Sequence, residues 1–259
     1  MATCKACDDL LILSLDPEDA DSGDEGRQES ETVPDDLELP CSCHFHWQCL
    51  LDQSSTILNT LQCPSCNTDL PTTPESSTSS SSQTTKPTIP TLYTNEGGPQ
   101  PNLDILPILT EEAYLSSHPE SRPARAMHTM VSEGDYNGIV SLLSDVDHDP
   151  EIDMTAAQLL HWTDPLNGGK SALHVAIESN QEEVFWLLLW LGSNLFSNVF
   201  PSPVVRAAGS MGLTRRDVVT REEDVRFVKD ESNRTAADVC TAVGHPWTVF
   251  VEGGLFNES

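Results

Sequence analysis

Cys41-Ser42-Cys43-His44-Phe45-His46-Trp47-Gln48-Cys49 is the stretch whose reading decides the fold. It carries three cysteines and two histidines in nine residues. Working outward, Cys4-x2-Cys7 lies upstream and Cys63-Pro64-Ser65-Cys66 downstream. Cys4, Cys7, Cys41, Cys43, His46, Cys49, Cys63 and Cys66 make eight soft or borderline ligands, enough for two tetrahedral zinc sites. Seven of the eight cysteines are used, leaving Cys240 over. A Cys-x2-Cys knuckle brings two sulfurs from one tight turn to the same ion. A disulfide framework needs neither the histidine nor the paired spacing, and no stretch reads as a secretory signal. The expected cofactor is zinc (two ions), and the expected compartment is the reducing cytoplasm or nucleus.

The segment Cys41 to Leu51 resembles the middle of a RING finger of the two-histidine kind, with Cys43 where that subtype has its fourth ligand, a histidine. The spacing favours Cys43, and the adjacent His44 leaves a local ligand swap open. PHD fingers and the RING-CH variant share the order of ligand types but space the fourth and fifth ligands more widely. The resemblance implies an interleaved cross-brace. Cys4, Cys7, His46 and Cys49 would hold one zinc; Cys41, Cys43, Cys63 and Cys66 would hold the other. Four protein ligands close each site and leave no position for a nucleophilic water, which argues against a hydrolytic zinc enzyme.

A RING recruits a ubiquitin-conjugating enzyme and orients its thioester-linked ubiquitin for attack by a substrate lysine, contributing position and no covalent intermediate. The resemblance implies conjugating-enzyme contacts at Leu50 and at Pro64, the latter matching the family's Cys-Pro-x-Cys turn, with a helix over residues 50 to 61. Leu50, Ile57, Leu58 and Leu61 are its candidate apolar positions. No catalytic residue is expected on the chain itself. Three positions depart from many active members: Ala6 for an apolar residue, Gln53 for Trp, and Asn67 for an Arg. They keep open a non-enzymatic adaptor that binds proteins through both halves.

Between Cys7 and Cys41 an apolar start (Leu10 to Leu13) gives way to an acidic run. Residues 14–39 are expected to form a disordered insertion, with Ser22 and Ser30 as weak acidic-directed phosphorylation candidates. The net charge is −28, from 13 Lys and Arg against 41 Asp and Glu, which argues against nucleic acid or an anionic membrane as partner. The most apolar run, Val184 to Leu191, is too short to span a bilayer and reads as a buried helix. The organisation expected is a zinc module over 1–70, a Ser/Thr/Pro-rich linker over 71–102, and a helical domain over 103–259. Within the last, residues 103 to 123 read as a short helix or cap.

Ser171-Ala172-Leu173-His174, followed by Ala176, Asn180, the apolar run to Leu189 and Gly192, resembles an ankyrin repeat. Weaker copies begin at Ala126 and at Asn233, the latter with Gly244-His245 at its inter-helix turn. Insertions around 146 to 165 and 197 to 230 stretch the period. The resemblance implies an all-α solenoid of about three repeats that binds a protein substrate. His128 and His174 read as turn hydrogen-bonders, Cys240 as a small buried residue, and Gly192 as a helix cap. Arg206, Arg215, Arg216, Arg221 and Arg226 in the second insertion read as a solvated basic loop. The combined expectation is a ubiquitin-protein ligase joining a small α+β zinc module to an ankyrin domain.

Overall fold

The computed structural model describes residues 2–14, 32–70, 87–149, 152, 154–215 and 220–257. Most of the acidic insertion, with Ser22 and Ser30, lies outside these residues, as do Arg216 and linker residues 71–86. The chain divides into two units, Met1–Ser117 and His118–Ser259.

In the first unit, β1 (Ile12–Ser14) pairs antiparallel with β2 (Thr32–Pro34). A second, antiparallel sheet has the order β4 (His44–Phe45), β3 (Asp36–Glu38), β5 (Pro90–Asn95), β6 (Gly98–Asp104). Residues 32–34 and 36–38 are therefore strands, where the acidic composition predicted disorder. Asp36-Leu37-Glu38 alternates, so Leu37 is fully buried while its acidic neighbours stay partly exposed. Residues 90–104 likewise form a hairpin within the first unit, where the sequence predicted a linker to 102. Asn95 accepts from the Gly97 amide at 2.9 Å, and Gly98 takes φ +96°, which closes the turn. The prolines fit because β6 is an edge strand and Pro90 opens β5.

Helices α1 (Trp47–Leu51) and α2 (Ser54–Thr60) replace the single helix expected over 50 to 61. Helix α3 (Leu106–Ser117) packs on both, so residues 103–117 complete the first unit rather than cap the second. Leu37, Phe45, Leu50, Ile57, Ile89, Ile105 and Leu109 form the core. At about 1.5–3 kcal/mol per fully buried large side chain, this core adds to what metal ligation can supply.

The second unit contains three helix pairs: α4 (Arg122–Glu133) with α5 (Tyr136–His148), α7 (Ala172–Glu178) with α8 (Glu182–Gly192), and α10 (Ala236–Val243) with α11 (Thr248–Glu252). Gly134 (φ +81°), Asn180 (φ +57°) and Gly244 (φ +90°) stand at the turns between partners. Helix α7 packs between α4 and α10. Helix α6 (Ala156–His161) and strand β7 (Thr163–Asp164) lie in the first insertion, β7 pairing with β8 (Lys170–Ser171) just beyond it; α9 (Ser202–Ser210) lies in the second. The short strands make the unit mixed rather than all-α. Val184 to Leu191 is buried throughout, as its composition predicts. Gly192 is the last residue of α8, not its cap. A Cβ there would meet Val225 Cγ1 at 2.6 Å, so its role is close approach. No described helix is long and apolar enough to cross a membrane.

Two candidate metal centres

The donor atoms of Cys4, Cys7, His46 and Cys49 lie within 4.8 Å of one another, and so do those of Cys41, Cys43, Cys63 and Cys66. Each group can hold a metal ion. The chain order interleaves them, so each centre draws together segments far apart in sequence.

Two matching turns build the flanks. Cys4 receives the Asp8 amide at its carbonyl (3.0 Å) and donates to Asp9 O (2.9 Å). Cys63 receives the Asn67 amide (2.9 Å) and donates to Thr68 O (2.9 Å). Asp8 and Asn67 sit one residue after the second cysteine with φ +65° and +58°. Asp and Asn are the non-glycine residues that enter this left-handed region most readily. Isolated bridges Thr3–Leu10 and Gln62–Asp69 close the two loops. The Asp/Asn after each knuckle is a signal the ligand spacing alone misses; it gives Asn67 a backbone role.

The middle segment supplies the remaining donors. Ser42 (φ +59°) turns the chain between Cys41 and Cys43, and Leu39 N–H donates to Cys43 O at 3.0 Å. His44 leaves the cluster: its Nδ1 lies 2.7 Å from Asp36 Oδ1. Cys43, not His44, is grouped with Cys41, Cys63 and Cys66.

His46 is oriented by its other nitrogen. Nε2 lies 2.8 Å from the Leu10 carbonyl, which can only accept, so Nε2 carries the proton and Nδ1 offers its lone pair. Nδ1 is 3.3 Å from Cys7 Sγ and 3.8 Å from Cys49 Sγ. Sulfurs bound to zinc at about 2.3 Å in a tetrahedron stand about 3.8 Å apart, so these spacings suit one ion. Backbone amides of Ala6 and His46 each donate to Cys4 Sγ at 3.4 Å.

The charges of the donor set fit a cation as well. Burial opposes the Cys4 thiolate, but the backbone donors at His46, Cys7 and Ala6 outweigh it and bring the thiol to about 7. The Thr68 hydroxyl and amide bring Cys66 to about 6. Burial and neighbouring cysteines push Cys41 and Cys49 up to about 12. Each cluster thus mixes thiols poised to ionise with thiols held protonated, and a divalent cation removes that conflict.

The predicted contact residues separate. Pro64 is partly exposed on the second knuckle, but Leu50 is fully buried in the core and presents nothing to a partner. Ala6 and Asn67 are exposed, and Gln53 is half-buried at the start of α2.

Sequence reasoning missed Asp35. Its buried carboxylate accepts from the Trp47 amide at 3.2 Å and from the Tyr93 hydroxyl at 3.0 Å. Trp47 follows His46 and opens α1, so Asp35 caps that short helix from outside.

In the second unit His174 bonds as its sequence context predicts. Nδ1 is 2.7 Å from Ser171 Oγ, and Nε2 is 3.1 Å from Arg234 O. His128 does not: neither ring nitrogen has a hydrogen-bond partner among the described residues, and the ring stands edge-on to Trp162 at 4.9 Å. Cys240 is fully buried, and burial pushes its thiol up to about 12. The basic insertion is partly structural. Arg226 is buried, donating to Asp224, Asn194 Oδ1 and the Leu255 carbonyl. Arg215 donates to Ser193 O at 2.8 Å, whereas Arg206 on α9 and Arg221, whose guanidinium lies 4.6 Å from the Phe227 ring centroid, are exposed.

Searches against protein-family models, curated proteins and solved structures each found no match to this chain.

Proposed function

We propose that the chain is a RING-type ubiquitin-protein ligase. One observation carries the reading: the two donor clusters interleave along the chain, first and third pairs in one, second and fourth in the other. Zinc, when bound, supplies structural cross-links, its four protein donors in each centre leaving no open position. The loop tips around Lys5-Ala6 and Pro64-Ser65 are exposed beside the two clusters and form the surface offered to a ubiquitin-conjugating enzyme. The chain contributes position: it holds the partner's thioester so that a substrate lysine attacks it, and no side chain of its own becomes acylated.

The three helix pairs of the second unit are the substrate-holding part on this reading. Serial packing of α4, α7 and α10, a left-handed residue at each turn, and the Ser171–His174 bond support an ankyrin-type array, with about three repeats as its minimum. Tethering raises the effective concentration of substrate near the transferring complex.

A second reading, a non-enzymatic adaptor, is favoured by particular residues. Leu50 is buried, Ala6 offers little apolar surface, and Asn67 carries no charge to bridge ubiquitin and its conjugating enzyme.

Self-ubiquitination by the purified, zinc-loaded chain across a panel of conjugating enzymes separates the two, with Cys63→Ala as control. Product that vanishes in the variant supports the ligase. No product from protein shown to carry two zinc ions leaves the adaptor.

A further inference from the structure

In the second unit a groove of about 650 Å³ opens between α8, the start of α5 and α9. That is the size of a site for a small ligand or a few peptide residues. Trp186 and Trp190, each less than a tenth exposed, line it, and Tyr136 on α5 is 38% exposed beside them. Trp186 Nε1–H donates to Glu182 Oε1 at 3.4 Å and Trp190 Nε1–H to the Leu213 carbonyl at 3.3 Å. With their donors satisfied, the indoles offer apolar surface. Ala207 and its neighbours on α9 keep the opposing lining small and apolar.

The charge is one-sided. Of all the lining residues only Glu182 and Glu183 are charged, and both are exposed. Two exposed carboxylates at the edge of an apolar lining favour a cation through ion pairing, while the Trp190 ring already has the Arg215 guanidinium 5.5 Å from its centroid. The chain's net charge of −28 steers basic segments toward it from a distance.

We propose that this groove docks a segment of a partner protein that places an apolar side chain against the tryptophans and a Lys or Arg beside Glu182 and Glu183. The assignment rests on the reading that the second unit holds the substrate, and it names the substrate's recognition chemistry. The groove belongs to the α5/α8 side and to the inserted helix α9, so it needs residues that the repeat pattern alone does not supply.

The test uses the full zinc-loaded chain and a random peptide display library, with binding of selected peptides measured by fluorescence anisotropy. The expected peptides combine an apolar or aromatic anchor with an adjacent Lys or Arg. The paired variant Glu182→Gln, Glu183→Gln should weaken them about tenfold or more and flatten their salt dependence. Ala207→Trp, which fills the groove, should abolish binding while the melting midpoint stays unchanged. Selected peptides without basic enrichment, or peptides that bind both variants as wild type, overturn the proposal. So does a concentration-dependent dimer that Ala207→Trp dissolves, since the occupant is then a second copy. A library that yields no binder overturns it too. Self-ubiquitination in the same variants reads the metal-bearing unit separately, so failure of the groove and failure of the ligase reading are distinguishable.

Discussion

Tyr93 donates its hydroxyl to the Asp35 carboxylate at 3.0 Å, across 58 residues of chain, and the same carboxylate receives the amide of Trp47. The Trp47 and Tyr93 ring centroids lie 4.7 Å apart. The β5–β6 hairpin is thereby joined to the helix that begins next to His46, a member of the first candidate metal cluster. Burial, with Asp35 adding to it, pushes the Tyr93 phenol up to about 12, so it acts only as a neutral donor.

Asp35→Ala leaves a partly buried hydroxyl and a helix-end amide without this acceptor, and should cost about 1–3 kcal/mol. Tyr93→Phe removes only the donor and should cost about 1 kcal/mol. Thermal melts of the zinc-loaded chain measure both, and zinc loss to a chelator should quicken in the same order. Equal chelation rates in all three proteins would separate the hairpin from the metal centre.

His44 and Cys43 compete for one role in the sequence, and the structure gives them different partners. Cys43→Ala should reduce bound zinc below two ions per chain, whereas His44→Ala should leave both in place, by native mass spectrometry. A lost ion in His44→Ala would reassign the ligand.

The pairing of the cysteines was legible because knuckle spacing is local. Cys4 and Cys7, or Cys63 and Cys66, announce themselves within four residues. Asn180 and Gly244 were legible for the same reason, since a positive-φ turn asks for few residue types. The hairpin over 90–104 was not, because Pro90, Pro99 and Pro101 argue against strands unless one knows that they fall at a strand start and on an edge. Asp35 was hidden in an acidic run whose composition speaks of solvent; its burial follows from partners at Trp47 and Tyr93, which no local pattern reveals. Arg226 misled in the same way. Sequence records its charge but not the Asp224, Asn194 and Leu255 groups that enclose it.

Arg226 and Asp224 form a fully buried ion pair at 2.8 Å, and the guanidinium also ties down the Leu255 carbonyl near the end of the described chain. Arg226→Ala strands the Asp224 carboxylate, so the second unit should lose about 3–5 kcal/mol. Urea unfolding followed by tryptophan fluorescence checks this, since four of the five tryptophans lie beyond residue 118. Limited proteolysis should also cut first near residue 255. A variant as stable as wild type would mean that water replaces the pair.

His128 sets an acid limit on the second unit. Burial, aided by the Arg125 charge, lowers its pKa from 6.5 to about 4. The folded state thus prefers the neutral ring, and the unfolded chain takes up a proton first as pH falls. Above pH 6.5 both states are neutral and the histidine contributes no slope. Between about 6.5 and 4 stability falls with pH by up to about 1.4 kcal/mol per unit, and the loss levels off near 3 kcal/mol below that range. His174 is lowered by burial too and tilts the curve the same way. His128→Phe keeps an aromatic ring against Trp162 and removes the titrating group. Its urea midpoint should match wild type within experimental spread at pH 7.5 and exceed it at pH 5. Parallel pH dependence in the two proteins would show that His128 is protonated in the folded state at little cost.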